Sequence, residues 1–491
     1  MEIFLKSFVE MMNNLCNEGI PCVIKGKKLD LKIYALLSCV DTVARAPMQG
    51  LTQFNGKYGC NWCLHPTMWA KGTKYPILNG IPLRTHKDTI KIMANLKQSR
   101  TWGVKSASPL VHMNSFNIIE GFCPDYMHCI LAGVGKQITK YFINSNNIEL
   151  YQGYLDNMKF PHQICRISRP LADLRYWKCR EWENWILYAS LPIFSLTLSQ
   201  EMIEYWALLV ESLYILLTND ITIADLDRVD EMLHLFVYLT EKNFKKKAMT
   251  YNVHQLLHIS TSVKNWGPLW SHSAFAFESG NHNLLQAIHS GRGIISQILR
   301  FININQCAAK IEKKIFSEND YPMTDFCINR FQTGVKNSFK LSEVRYFGKG
   351  IDTSPMYKKA FNLSDKCKSY YRIIKNHCKY SSSLKVCVKS DNSKVQLYTG
   401  EFVELLEFFV DVESKMELTL CKKINLCNEN VLGNYLSKDT LRLKLDEMNL
   451  KQITFDETPI IIQTNLIKSI CVCTKINEKA YLCATPNLYY Y

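Results

Sequence analysis

The sequence predicts an α/β chain with an all-helical insertion, followed by a small β-rich C-terminal domain. A largely apolar run of strand length, Leu31–Val40, ends on Asp41. Two amphipathic helices, Glu201–Leu217 and Ile223–Phe244, occupy the middle of the chain, and apolar residues alternate with polar ones beyond residue 380. The boundaries that follow are a core over 1–330 with its helical insertion at about 66–250, a connector over 331–380, and a β-rich domain over 381–491. At 491 residues the chain can bury a large core without staples.

In chain order, Phe4, Leu5, Phe8, Met11, Met12 and Leu15 recur at helical spacing, and Gly19 stops that helix. A turn at Lys25-Gly26-Lys27-Lys28 leads into the Leu31–Val40 strand. Asp41 at its tip is either a functional carboxylate on a rigid element or the cap of the next turn. Residues 66–120 are irregular. From Asp125 to Tyr141 the pattern is helical, with Met127, Ile130, Leu131, Val134 and Ile138 on one face. The stretch Arg175-Tyr176-Trp177-Lys178-Cys179-Arg180-Glu181-Trp182 either stacks on bases or packs its tryptophans inward with snorkelling basic residues. Lys245-Lys246-Lys247 reads as a solvated helix end. In the C-terminal domain Leu384, Val386 and Val388 alternate, as do Val395 and Leu397, then Met416, Leu418 and Leu420. Cys471-Val472-Cys473 and Tyr481-Leu482-Cys483 flank a turn at Asn477-Glu478.

Lys and Arg outnumber Asp and Glu by 59 to 44, a net charge of +15 that favours a polyanionic partner over an acidic substrate. The 19 cysteines form no repeating framework, and no signal peptide precedes them, since Met1-Glu2-Ile3 opens directly into an amphipathic stretch. Reduced thiols in the cytosol or nucleus are therefore expected. The most apolar stretch, Tyr205–Leu217, is too short for a bilayer and carries Glu211, so no membrane partner is expected.

The chemistry concentrates in two distant pairs. Cys60 and Cys63 sit two apart on a glycine-bearing turn, Gly56-Lys57-Tyr58-Gly59-Cys60-Asn61-Trp62-Cys63, and His254 and His258 sit at i and i+4 on one helix face. Each pair supplies half of a tetrahedral, closed, structural zinc site, with Trp62 as a cover and His65 as a competing ligand from the same loop. Each pair also has a carboxylate at a set distance, in Asp41-x18-Cys60 and His258-x19-Glu278. Two-metal phosphoryl transfer needs acidic residues that hold Mg²⁺ or Mn²⁺, and Asp41 and Glu278 would be two of them.

The strings from Asp41 to Cys63, Asp125-Tyr126-Met127-His128, Asn252-Val253-His254-Gln255-Leu256-Leu257-His258 and Ser273-Ala274-Phe275-Ala276-Phe277-Glu278-Ser279-Gly280-Asn281 together resemble the CACTA/Mirage/Chapaev transposases. These are cut-and-paste DNA transposases of the DDE class, similar in layout to the catalytic subunit of the V(D)J recombinase. The resemblance runs over roughly residues 1–300. It implies a partial RNase H-like core with a helical insertion before the last acidic helix. It also implies that Asp41 is the second catalytic aspartate, Glu278 the catalytic glutamate, and Cys60, Cys63, His254 and His258 the ligands of a structural zinc. Asp125 and His128 fall in a recurrent motif of that family with no role assigned here. The family's first catalytic aspartate lies on a strand upstream of everything in this chain. The expectation is thus an N-terminally truncated, transposon-derived nuclear protein, inactive in strand cleavage, with transposon-end DNA as partner and self-association left open. A non-catalytic, zinc-stabilised DNA- or chromatin-binding protein is the alternative, and a zinc-stabilised protein without a DNA role is a third.

Overall fold

The computed structural model describes residues 2–24, 26–97, 101–164, 166–317, 338–385, 389–427 and 448–487. The chain is mixed α/β and divides into two compact units. The described residues of Met1–Gln152 and Ser168–Ala274 belong to the first, and those of Gly153–Ile167, Phe275–Val431 and Asp446–Tyr491 to the second.

The first unit is dominated by helices. It opens on the expected helix, Glu2–Asn17, which buries Leu5, Val9, Met12 and Cys16. A two-stranded antiparallel ribbon follows, Ile20–Ile24 with Lys27–Leu31. Here the structure departs from the sequence expectation, because Leu31–Val40 is not a strand. Among the described residues its ladder amounts to one parallel bridge, Ser38 with Phe122, and residues 31–34 are exposed. An apolar run becomes a strand only when another backbone lies alongside to take its N–H and C=O groups. An RNase H-like sheet is not among the described elements of this unit, whose strands form only two-stranded ribbons.

The helical middle matches its pattern closely. Gln200–Leu217 is buried on nearly every side from Ile203 onward, and Ile223–Phe244 buries its apolar stripe. Thr222 starts the second helix with a reciprocal cap, accepting from Asp225 N at 3.1 Å while the Asp225 carboxylate accepts from Thr222 N at 2.9 Å. Tyr205 stacks on Phe236 between the two helices, with centroids 4.6 Å apart. The segment expected to run helical from Asp125 winds as a π-helix over Met127–Gly135 and tightens to an α-helix over Lys136–Phe142. The aromatic stretch at 175–182 is core: Trp182 is fully buried against Trp177, and Arg169 and Arg180 pair with Glu181 and Glu183. Lys245, Lys246 and Lys247 are exposed at a helix end. Among the described residues no helix is long and apolar enough to cross a membrane.

In the second unit, six antiparallel strands close into a barrel. Lys394–Leu397 pairs with Phe402–Asp411, which pairs in turn with Met416–Leu426, Leu450–Gln463, Lys479–Ala484 and Ile467–Ile476, and the last returns to Lys394–Leu397. Val395, Leu397, Val403, Leu405, Phe408, Cys421, Ile467 and Ile470 fill the interior, consistent with alternation at the first of these strands. Asn477, at positive φ, turns the final hairpin at the expected place. Val386 and Val388 lie outside the described residues, and Leu384 is exposed. The expected connector is β-structured where described: Cys378–Ser381, Arg372–Lys375, Val344–Phe347 and Ser338–Leu341 form a four-stranded sheet. Strands of four residues joined by tight turns, as at Asn376 and His377 with φ of 50° and 62°, are too short to show a period.

Candidate metal centre

The cysteine turn is built by backbone crowding that only glycine allows. A Cβ on Gly59 would stand 2.3 Å from the Gln53 carbonyl oxygen, so the loop can double back only with glycine there. Arg84, almost fully buried, then pins the loop. Its Nε donates to the Cys60 carbonyl at 2.8 Å, and its Nη2 donates to the carbonyls of Tyr58 and Trp102. The histidines come from Tyr251–Gln255, capped by Thr250, and from the tighter 3-10 turn Leu256–His258 that continues it.

These two elements bring Cys60, Cys63, His254 and His258 together in the core of the first unit. Their ligand atoms all lie within 4.8 Å of one another, and all four residues are buried. Cys60 Sγ is 3.5 Å from His258 Nε2, and Cys63 Sγ is 3.2 Å from His254 Nε2. A tetrahedral zinc with ordinary Zn–S and Zn–N bonds sets those edges at about 3.5 Å, so the donor set and its spacing fit Zn²⁺. Trp62 covers the site as expected, stacked on His258 with centroids 5.8 Å apart and planes within 15°. Tyr75 does the same for His254 at 4.9 Å.

Electrostatics favour a cation here. Burial alone would raise the Cys60 thiol, but the Cys63 hydrogen bond and the two imidazoles outweigh it and hold Cys60 well below its ordinary range. The Cys60 neighbour and burial push the Cys63 thiol up, so a second bare thiolate is strongly opposed. A divalent ion between the sulfurs removes that opposition. Burial also lowers the His258 imidazolium pKa, keeping the ring neutral and its lone pair available. Gln255 Nε2 and Trp62 N lie 3.3 and 3.4 Å from Cys60 Sγ, the outer donors that a metal thiolate needs.

His65 does not compete. Its Nε2 lies 2.7 Å from the Pro76 carbonyl oxygen and its Nδ1 accepts from Thr67 N at 3.0 Å, so both ring nitrogens are spent. An open cavity of about 570 Å³, lined by Cys63, His254 and His258 together with Leu83, His234 and Tyr238, gives solvent a route to the site.

The carboxylates stand elsewhere. Asp41 is exposed and caps the helix Thr42–Gln49, accepting from Ala44 N at 2.7 Å, the capping role weighed from sequence. Glu278 is exposed in the first turn of the helix Phe275–Gln286, in the second unit. Asp125, by contrast, is buried. It accepts from His128 Nδ1 at 2.6 Å, from His128 N at 3.1 Å and from Ala274 N at 2.9 Å. Asp41 and His128 line one cavity of about 370 Å³ with Tyr251 and Asn252. Sequence reasoning missed Arg84, Tyr75 and Gln255. Only the place of Gln255 beside His254 hinted at its role. No protein-family model matches this chain, and no curated protein matches it.

Proposed function

We propose that this chain is a transposon-derived protein of the DDE type that acts on DNA, with a structural zinc holding the loop after Asp41 against the helix at His254. One observation carries this reading: two ligand pairs about 190 residues apart converge into a buried Cys2His2 set of zinc dimensions. The set lies at fixed sequence distances from Asp41 and Glu278, in the order the resemblance requires. In this reading the core is of RNase H-like descent, Asp41 and Glu278 are its Mg²⁺- or Mn²⁺-binding carboxylates, and the net charge of +15 serves a nucleic-acid partner in the nucleus. The test is Mn²⁺-dependent nicking of terminal-repeat DNA by the zinc-loaded chain. Nicking lost in both Asp41→Ala and Glu278→Ala is the expected result, and nicking that survives both rules out the assigned carboxylates.

A second reading has its own support. The Asp41 carboxylate is engaged as a helix cap, a role that needs no metal, which favours a non-catalytic DNA- or chromatin-binding protein. Binding that weakens steeply between about 50 and 200 mM salt, and is unchanged in Asp41→Ala, distinguishes it from the enzyme. Absence of DNA binding at low salt counts against both.

A further inference from the structure

We propose that Asp41 and His128 form a divalent-cation site separate from the zinc, with Asp125 as the carboxylate that orients the His128 ring. The inference rests on reading Asp41 as a metal-binding carboxylate and adds the imidazole that reading does not contain. Three observations carry it.

Asp125 is buried, and one of its oxygens takes both the Nδ1 and the backbone N of His128. Its other oxygen is held by Ala274 N. With the Nδ1 proton directed at the carboxylate, a neutral ring carries its lone pair on Nε2, the arrangement by which carboxylates fix metal-binding histidines. Next, Asp41 and His128 share two adjoining cavities. The outer one is about 370 Å³ and solvent-open, while the inner one is only about 10 Å³, the size of a single water or ion, and Asp125 lines it too. Finally, His128 sits at the start of the π-helical segment Met127–Gly135, a winding that recurs where a helix presents a functional side chain.

One carboxylate and one imidazole make a weak mixed O/N site, suited to Mn²⁺ or another first-row ion better than to Mg²⁺, which prefers oxygen. Arg45 also lines the inner cavity. Its guanidinium donates to the Tyr251 hydroxyl and lies 5.4 Å from the Tyr251 ring centroid. That fixed positive charge lowers the affinity for a bare cation.

Mn²⁺ titration of the zinc-loaded full chain, followed by electron paramagnetic resonance with detection of ¹⁴N coupling, tests the site. One bound Mn²⁺ showing nitrogen coupling is expected. His128→Ala and His128→Gln should abolish the coupling and weaken binding at least tenfold, and Asp125→Asn should weaken it by about 10- to 100-fold. Zinc content should stay unchanged in every variant, which reports that the chain still folds. Mn²⁺ bound without nitrogen coupling and lost only in Asp41→Ala overturns the role of His128 while leaving Asp41 a metal ligand. No Mn²⁺ binding at all overturns the inference, even where DNA binding persists.

Discussion

Cys60 and Cys63 illustrate how neighbours decide a side chain's chemistry. The same burial that keeps most of this protein's thiols inert acts on both, yet two imidazoles and a sulfur neighbour make Cys60 the first to ionise. Cys63→Ala leaves three ligands and a buried half-site. The zinc-to-protein ratio should fall below one half after exchange against a competing chelator, where the unaltered chain retains its metal. Asp411 shows the opposite sign of effect in the second unit. Burial disfavours its charge, but hydrogen bonds from Ser364 N and Oγ and from Ser414 outweigh burial and bring its pKa down to about 2. A carboxyl lowered from its ordinary value of 3.8 adds stability above that pH and loses it as pH falls through about 2. The melting temperature of the second unit should therefore drop between pH 4 and pH 2 less steeply in Asp411→Asn than in the unaltered chain.

Among elements, the glycine turn and the tryptophan-rich helix make opposite demands on space. Gly59→Ala forces a methyl against a carbonyl oxygen 2.3 Å away, so the loop must open and the Cys60 sulfur must move. Zinc affinity should fall by at least tenfold, measured by competition with a chelating dye. Trp182 is fully buried against Trp177, and removing it leaves a cavity that the surrounding helices cannot close. Trp182→Ala should cost about 3–5 kcal/mol in the unfolding of the first unit, read by denaturant titration. The two long middle helices were legible because an apolar stripe at a period of 3.6 persists over 18 and 22 residues. The Leu31–Val40 run misled because apolar content says nothing about whether a neighbouring backbone is present. The short strands between 338 and 381 were illegible because each ends before its alternation can repeat.

For the chain as a whole, the units differ in what holds them. The first joins segments about 190 residues apart through four side chains, whereas the second closes its barrel through continuous antiparallel ladders. Chelation of zinc should therefore lower the melting transition of the first unit and leave that of the barrel in place, as resolved by differential scanning calorimetry. A single transition shifted as one by chelation would sink this division. Residue identity alone set the chemistry on offer: the two ligand pairs, the carboxylates near them, the basic balance and the helical periods are all local in sequence. Convergence was not local. That the pairs meet, that His65 is consumed by Pro76 and Thr67, that Arg84 clamps the loop, and that Asp125 takes the His128 ring are contacts between segments far apart or oddly turned. Such contacts depend on where packing leaves each backbone, which no spacing along a chain encodes.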